Sequence, residues 1–425
     1  MVRKMFELVK SKVNEYTNKY QIDLPYLIRN EFWVYLRLGI SLITGVAVSV
    51  IFARLAPKEI FGQYNFILAI LAMASLFSIP GLTNAVMRSV ARGYDGNYKQ
   101  AAKIRFLWSL LGIPALLGVG AYYYYYNTQI IGICLMISSV FFPLMWAPSI
   151  WEGFLVGKKR FDLIARYGSI QSSISAVAII GILFLNANHL VLIIATYVIT
   201  NSFLTFLLYR RSLKYIENEA KDDECKRYGY FLTTAAIAGT LADNIDKVLL
   251  GILLGAPQLA IYSIAKLIPD RIRNLLKPAL SPLMPKFSQD GIEMGEVQRK
   301  MKRFILPLVL ATLGGSLLYW LFIDDIVLLL FSSKYMDSIK YAKMLLLMIL
   351  VSIPGAFLGT FAIAKRKIKT IILRVHIFSF FRLLIMSGFV YQWGIMGAVW
   401  ALNLNTILGS LLAWVGMRWE EVSQE

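Results

Sequence analysis

The sequence predicts an all-α polytopic membrane protein, with about twelve transmembrane helices in two six-helix lobes. Three observations carry that class. Hydrophobic residues make up 58% of the 425 residues and charged residues only 16%, well outside the balance of a soluble domain. Apolar runs long enough to cross a bilayer recur from end to end. Lys and Arg, 44 against 25 Asp and Glu, concentrate in alternate loops. The composition excludes an ordinary soluble enzyme, a disordered chain and a nucleic-acid-binding domain, and no nucleic-acid partner is expected. With two cysteines and two histidines, far apart and outside any CxxC pattern, neither a disulfide framework nor a metal site is expected.

The elements follow in order. In residues 1–33, Phe6, Val9, Val13, Tyr16 and Tyr20 recur at helical spacing, with Lys10, Lys12 and Lys19 elsewhere. That pattern fits an interfacial amphipathic helix or a short cytoplasmic cap. Residues 1–30 are too charged for a cleavable signal peptide, so the first span is expected to anchor the chain. The spans fall near 34–53, 62–84, 104–124, 128–148, 169–186, 190–209, 230–252, 257–284, 304–323, 341–363, 370–390 and 394–416. The loops 1–33, 85–105, 157–166, 210–228, 286–303 and 365–369, with the tail after 417, hold 31 Lys and Arg. The opposite loops hold five: Arg54, Lys58, Lys334, Lys340 and Lys343. That bias places both termini in the cytoplasm, across the cytoplasmic (inner) cell membrane, and supports an even number of spans. The organisation expected is an N-terminal segment 1–33, a lobe 34–209, a cytoplasmic linker 210–229, a second lobe 230–417 and a tail 418–425.

The two lobes echo each other. At an offset of 198, Leu55 matches Leu253, Tyr64 matches Tyr262, Pro80 matches Pro278 and Arg88 meets Lys286. A second echo pairs Gly153–Arg160 with Gly359–Lys367. A duplicated six-helix unit in parallel orientation is the architecture of transporters that hold substrate between two rocking halves.

The stretch Ala53-Arg54-Leu55-Ala56-Pro57-Lys58-Glu59-Ile60-Phe61-Gly62-Gln63-Tyr64 resembles the first helix-to-loop signature of the polysaccharide biosynthesis family. These are the O-antigen-type (Wzx-like) flippases of the multidrug, oligosaccharidyl-lipid and polysaccharide exporter superfamily. Gly81-Leu82 with Arg88 and Ala91, Gly157-Lys158-Lys159-Arg160-Phe161, and Asp246-Lys247-Val248-Leu249-Leu250-Gly251 are similar to later family segments. So is Ala260-Ile261-Tyr262-Ser263-Ile264-Ala265. The ordered set covers nearly the whole chain. The resemblance implies a V-shaped bundle around a central cavity, acting on polyprenyl-diphosphate-linked oligosaccharide rather than catalysing a reaction. Membrane lipid and other polysaccharide assembly proteins are the further partners implied. The lipid II group usually has fourteen spans, so the span count points away from peptidoglycan precursor.

Ionisable residues inside spans are costly and face a cavity or a partner. Lys266, Asp270, Arg273 and Lys277 recur at i, i+4, i+7 and i+11, with Arg271 to one side. Their repeat-mates Leu68, Ala72, Ser75, Ile79 and Met73 carry no charge. The set reads as a cationic cavity for a diphosphate, since the fork of Arg binds phosphate oxygens bidentately; a cytoplasmic face beyond Pro269 and internal pairing of Asp270 with Lys266 and Arg273 are the alternatives. Arg382 is expected in the cavity lining. Arg37, with Arg374, lies near a span end where snorkelling competes with substrate contact. Asp243 and Asp246 are candidates for a coupling ion, H+ or Na+, against a simple i,i+4 pairing of Asp243 with Lys247. No other cofactor is expected. His376 reads as a buried polar residue or a proton relay, and Tyr122–Tyr126 as an interfacial aromatic belt. The competing functions are a multidrug-type cation-coupled antiporter, whose cationic substrates a basic cavity would repel, and a membrane polymerase or glycosyltransferase. No nucleophile, metal set or pair of outer carboxylates supports the last.

Overall fold

The computed structural model describes residues 24–279, 294–352, 355–356 and 378–422, and no strand occurs among them. Long apolar runs become helices because an isolated backbone in lipid must satisfy its own hydrogen bonds. The first half of the chain holds α1 (Leu24–Leu55), α2 (Lys58–Ala74), α3 (Gly81–Ala91), α4 (Asn97–Ser109) and α5 (Gly112–Tyr126). It continues with α6 (Gln129–Trp146), α7 (Trp151–Gly157), α8 (Phe161–Asn186) and α9 (Leu190–Ser212). The second half holds α10 (Glu224–Leu253), α11 (Ala256–Ala279), α12 (Met294–Phe331), α13 (Asp337–Met344) and α14 (Phe378–Val422).

Two expected spans are broken helices. The 62–84 span is interrupted by a 3-10 turn at Ser75–Ser78, by Ile79 in the left-handed region (φ 51°), and by Pro80. Proline disfavours the α conformation in the residue before it, so the helix restarts only at Gly81. The 128–148 span is followed by a second 3-10 turn, Ala147–Ile150, with Pro148 inside it. In α14 the chain reverses at Gly394 (φ 57°, ψ −130°), a conformation that glycine adopts at little cost. A Cβ on Gly397 would lie 1.8 Å from the Phe389 carbonyl oxygen, so the two arms of that hairpin touch backbone to backbone.

Eight helices among the described residues are long and apolar enough to cross a membrane. Six match the first six expected spans, from Asn30–Leu55 to Leu190–Tyr215, and Thr312–Phe331 and Phe378–Leu412 are the others. Helices also form at the charged spans 230–252 and 257–284, as α10 and α11, where charge rather than length sets them apart from the eight. Residues 1–23, 353–354 and 357–377 lie outside the described residues, and with them the second member of the second echo, Gly359–Lys367, Arg374 and His376.

Loops that the charge count assigns to one side do come together. At one end Lys158 bonds Asp95 (2.6 Å), Arg92 bonds Asp222 (3.2 Å) and Lys99 bonds Glu219 (3.0 Å). At the opposite end Arg54 donates to the Leu330 carbonyl (2.9 Å), and the Lys334 ammonium donates to the Arg54 carbonyl (3.4 Å). The segment 210–229 is more than a linker. Its backbone is stitched to the first half by Gly96 N–H to Ala220 O (2.9 Å), Glu217 N–H to Asp95 Oδ2 (2.8 Å) and Asp222 N–H to Asn97 Oδ1 (2.6 Å).

The main core joins both halves. Phe52, Phe61 and Tyr64 pack into one cluster with Tyr262, Phe331 and Tyr335. Outward faces stay apolar, as a lipid-facing surface requires: Leu185 is 82% and Val177 71% exposed. In the tyrosine run, Tyr125 and Tyr126 are exposed while Tyr123 is buried against Phe66 (5.6 Å between centroids). The run is therefore only partly a surface belt.

Candidate functional site

A cavity of about 570 Å³ lies between the halves, within the usual size range for a small-molecule site. Helices α1, α2, α8 and α9 form its first-half wall, and α10 and α11 form the other. Along α11 the facing residues are Ser263, Lys266, Leu267, Asp270, Arg271 and Asn274, a stripe at the 3–4 spacing of a helix face. Lys247 of α10 faces the same space.

Positions offset by 198 meet across this cavity. Asn65 and Ser263, Ser49 and Lys247, and Leu68 and Lys266 all line it. The members of each pair differ in chemistry, and in the described lining the cations come from the second half alone.

The sequence-predicted residues separate into three groups. Lys266, Asp270 and Arg271 line the cavity. Arg273 is bonded to Asp270 (3.3 Å) and reaches the wall through it. The expected arrangement, with Arg273 on the face and Arg271 to one side, is corrected here. Counted from Lys266, Arg273 falls at i+7 and Arg271 at i+5; both lie near the Lys266–Asp270 stripe, and the packing of α11, which spacing does not reveal, puts Arg271 in the lining. The Arg271 guanidinium lies over Gly45 of α1, where a Cβ would be 2.5 Å from Nη2. The only backbone that gives Arg271 this room is one without a side chain. Lys277 belongs to α11, but its side chain lies outside the described residues.

The second group bonds carboxylates. Asp246, 1% exposed, accepts from the Tyr262 hydroxyl (2.5 Å) and contacts the Lys266 ammonium directly. Asp243 does not pair with Lys247. Its partner is Arg382 (3.0 Å), which links α10 to α14. The i,i+4 reading fails because α14 brings Arg382 to Asp243, while Lys247 lines the cavity. The third group is Arg37 alone. It bonds Glu152 (2.7 Å) and lies across Gly168, whose Cβ would be 2.3 Å from its Nε. Arg37 thus fastens α1 to α7 and α8, rather than facing the described cavity lining.

Lys247 has no carboxylate within ion-pair distance among the described residues, and neither has Arg271. Lys247, Lys266, Arg271 and Arg273 stand against Asp246 and Asp270, four cations to two carboxylates. The wall carries two positive charges in excess. Among the described residues no group of three His, Cys, Asp or Glu side chains could hold a metal ion.

Sequence reasoning missed two features. One is the cavity role of Lys247, hidden by its tempting i,i+4 partner Asp243. The other is Arg105, counted as a loop charge but only 2% exposed. It donates to Ser78 O (3.0 Å), Thr83 Oγ1 (2.8 Å), Trp146 O (2.8 Å) and Ser149 Oγ (3.1 Å). One guanidinium therefore joins both helix breaks. The signal was present: Arg105 falls on the buried stripe Tyr98, Ala101, Ala102, Arg105, Ser109 of α4.

An all-helical bundle spanning a membrane, with a charged cavity between its halves, defines a multi-pass membrane transporter. Solved structures share this fold. An inward-facing multidrug transporter of the MATE family and MOP superfamily superposes with TM-score 0.69 at 12% identity, over 92% of this chain and 99% of that one. The lipid II flippase MurJ in an inward closed conformation gives 0.66 at 15% identity, over 92% and 87%. A Pyrococcus furiosus transporter of the same superfamily, whose binding pocket is described as having reverse polarity, gives 0.61 at 11%, over 94% and 95%. Residues 51–340 match the model of the polysaccharide biosynthesis protein family, and the chain belongs to that family. A Shigella flexneri relative described as a "putative O-antigen transporter" is 24% identical over 91% of this chain and 96% of its own length.

Proposed function

We propose that this chain is a flippase. It carries a polyprenyl-diphosphate-linked oligosaccharide, a repeat unit of O-antigen, capsule or exopolysaccharide, from the cytoplasmic to the outer leaflet. The observation that carries this reading is the excess of two positive charges on the α10–α11 wall. A diphosphate esterified at both ends has one negative charge on each phosphate, so charge and counter-charge balance. Arg271 supplies the planar fork that replaces phosphate hydration, and Lys247 and Lys266 supply field. A cationic drug would meet the same excess as repulsion, which disfavours the multidrug-type antiporter. The names of the Shigella relative and of MurJ support a lipid-linked glycan as cargo.

Transport proceeds by alternating access between the halves. Arg54 on the Leu330 carbonyl and Phe61 against Tyr335 (6.3 Å between centroids) close the end carrying few Lys and Arg. With the basic loops in the cytoplasm, that closed end is the outer one, in a cytoplasmic membrane with both termini inside. A coupling ion, H+ or Na+, would act at Asp246 or Asp243 by taking the place of Lys266 or Arg382. The test is flipping of a fluorescent polyprenyl-diphosphate glycan in proteoliposomes. Wild type should flip it and leave a cationic dye unmoved, and Arg271→Glu should abolish flipping. Dye export, with unchanged glycan flipping in Arg271→Glu, would reverse the assignment.

A further inference from the structure

The two walls of the cavity differ in hydrogen-bonding sense as well as in charge. The second-half wall is rich in donors: Lys247, Lys266 and Arg271 can only donate. The first-half wall contributes no charged side chain to the described lining. Its polar groups are hydroxyls and an amide, and several of them have already given a hydrogen to their own helix. Thr44 Oγ1 donates to Ile40 O (2.8 Å), Ser49 Oγ to Gly45 O (2.9 Å) and Ser172 Oγ to Ser169 O (3.1 Å). Asn65 Nδ2 donates to Phe61 O (2.8 Å). Each hydroxyl has one hydrogen to give, so what it can offer a ligand is oxygen lone pairs. Asn65 likewise keeps its whole carbonyl oxygen. An edge-to-face pair, Tyr64 with Tyr197 (6.2 Å between centroids), stands beside them. At the junction of the two walls the Ser263 hydroxyl is 91% buried and has no hydrogen-bond partner.

Phosphate oxygens accept, never donate, and carry charge, and the first-half wall offers no cation to match them. Sugar hydroxyls donate, and their ring C–H faces suit aromatic rings. We infer that the cavity is a two-sided site in which the first-half wall of Thr44, Ser49, Asn65 and Ser172 binds the sugar residues next to the diphosphate, while the α10–α11 wall binds the diphosphate itself. This inference rests on the flippase reading and adds the subsite and the ligand class, a neutral hydroxyl-rich sugar. It also sets the orientation of the cargo: glycan toward the first half, phosphates toward the second.

The test is equilibrium binding to the full-length purified chain in nanodiscs, with two probes. One is polyprenyl diphosphate bearing a neutral disaccharide, and the other is the same lipid diphosphate without sugar. The triple variant Thr44→Val, Ser49→Ala, Ser172→Ala keeps side-chain volume nearly constant and removes three acceptors. It should weaken the glycosylated probe about tenfold, as expected for two or three neutral hydrogen bonds, and leave the sugar-free probe unchanged. Unchanged binding of the sugar-free probe also shows that the variant is folded. Arg271→Ala should weaken both probes. Equal affinity of the triple variant and wild type for the glycosylated probe would overturn the sugar wall, as would an equal loss on both probes. If the wild type binds the sugar-free diphosphate no more tightly than the matching polyprenyl alcohol, the flippase reading fails, and the sugar wall with it.

Discussion

At the residue scale the account turns on charges that have been given, or denied, a partner. Lys266 is 7% exposed and bonded to Asp246. Removing one member of a buried pair leaves the other uncompensated and costs about 3–5 kcal/mol, whereas replacing both with apolar groups is often neutral. Asp246→Asn should therefore lower thermal stability in detergent markedly, and Asp246→Asn with Lys266→Met should restore it without restoring transport. A single mutant as stable as wild type would remove the pair from the account. Arg271 allows a cleaner separation. Gly45→Val would push only the tip of a flexible side chain, since a Cβ there meets Nη2 at 2.5 Å. Flipping should fall several-fold with melting temperature unchanged; a variant that flips normally would show that the Arg271 position is not used. Lys158 is different again. Burial works against its charge, but the bonds it donates to the Asp95 and Glu217 carboxylates outweigh that and raise its pKa above the ordinary 10.5. The folded value exceeds the unfolded one, so the stability it adds is fully present below 10.5 and is lost as pH rises through the folded value. Melting temperature should therefore decline above pH 10.5 in wild type, and Lys158→Ala should lose that part of the decline. Identical pH profiles would contradict this.

At the element scale, helix existence was legible and helix continuity less so. Apolar runs marked α1, α6, α8 and α9 directly, because length in residues translates into membrane thickness. Pro80 with Gly81 marks an interruption in the sequence, and in the structure the left-handed Ile79 before it ends the helix outright. The effect of a proline depends on whether neighbouring elements satisfy the groups it frees. Here they do: Arg105 donates to the Ser78 carbonyl and the Ser78 hydroxyl, and across to Trp146 and Ser149. Such tertiary satisfaction is invisible to a charge count, which placed Arg105 in a loop. Arg105→Met should lower stability by about 2–4 kcal/mol through several orphaned buried acceptors. Arg105→Lys should recover only part, because lysine lacks the fork. Chemical unfolding of both variants would check this, and full recovery by lysine would show that charge alone suffices. The α11 stripe shows the matching limit of periodicity. Lys266 and Asp270 line the cavity, but the choice between Arg271 and Arg273 needed Gly45 on α1.

At the scale of the whole molecule, topology and chemistry agree. The loops rich in Lys and Arg gather at one end, tied by Lys158–Asp95 and Arg92–Asp222, and Arg54 and Lys334 gather at the other. Reporters fused at Asn127, Asn188 and Gln392 should accordingly appear outside, and those at Lys158 and Lys221 inside. An outside signal at Lys221 would break both the topology and the duplication. The offset that suggests a duplication is legible in the sequence, and its pairs Asn65 with Ser263 and Leu68 with Lys266 line one cavity. Sequence did not reveal that the neutral mates of the cations form the opposite wall, because a serine or threonine in a span is as common in packing as in binding. The central claim is that a lipid-linked diphosphate glycan occupies this space between the halves. Both native cysteines are buried, so a cysteine placed at the cavity-lining Asn274 reports on it alone. The decisive measurement is its rate of maleimide modification with and without polyprenyl-diphosphate oligosaccharide. The account predicts protection of about tenfold at a ligand concentration near ten times Kd, lost in the Arg271→Glu background. An unchanged rate at saturating ligand would contradict it.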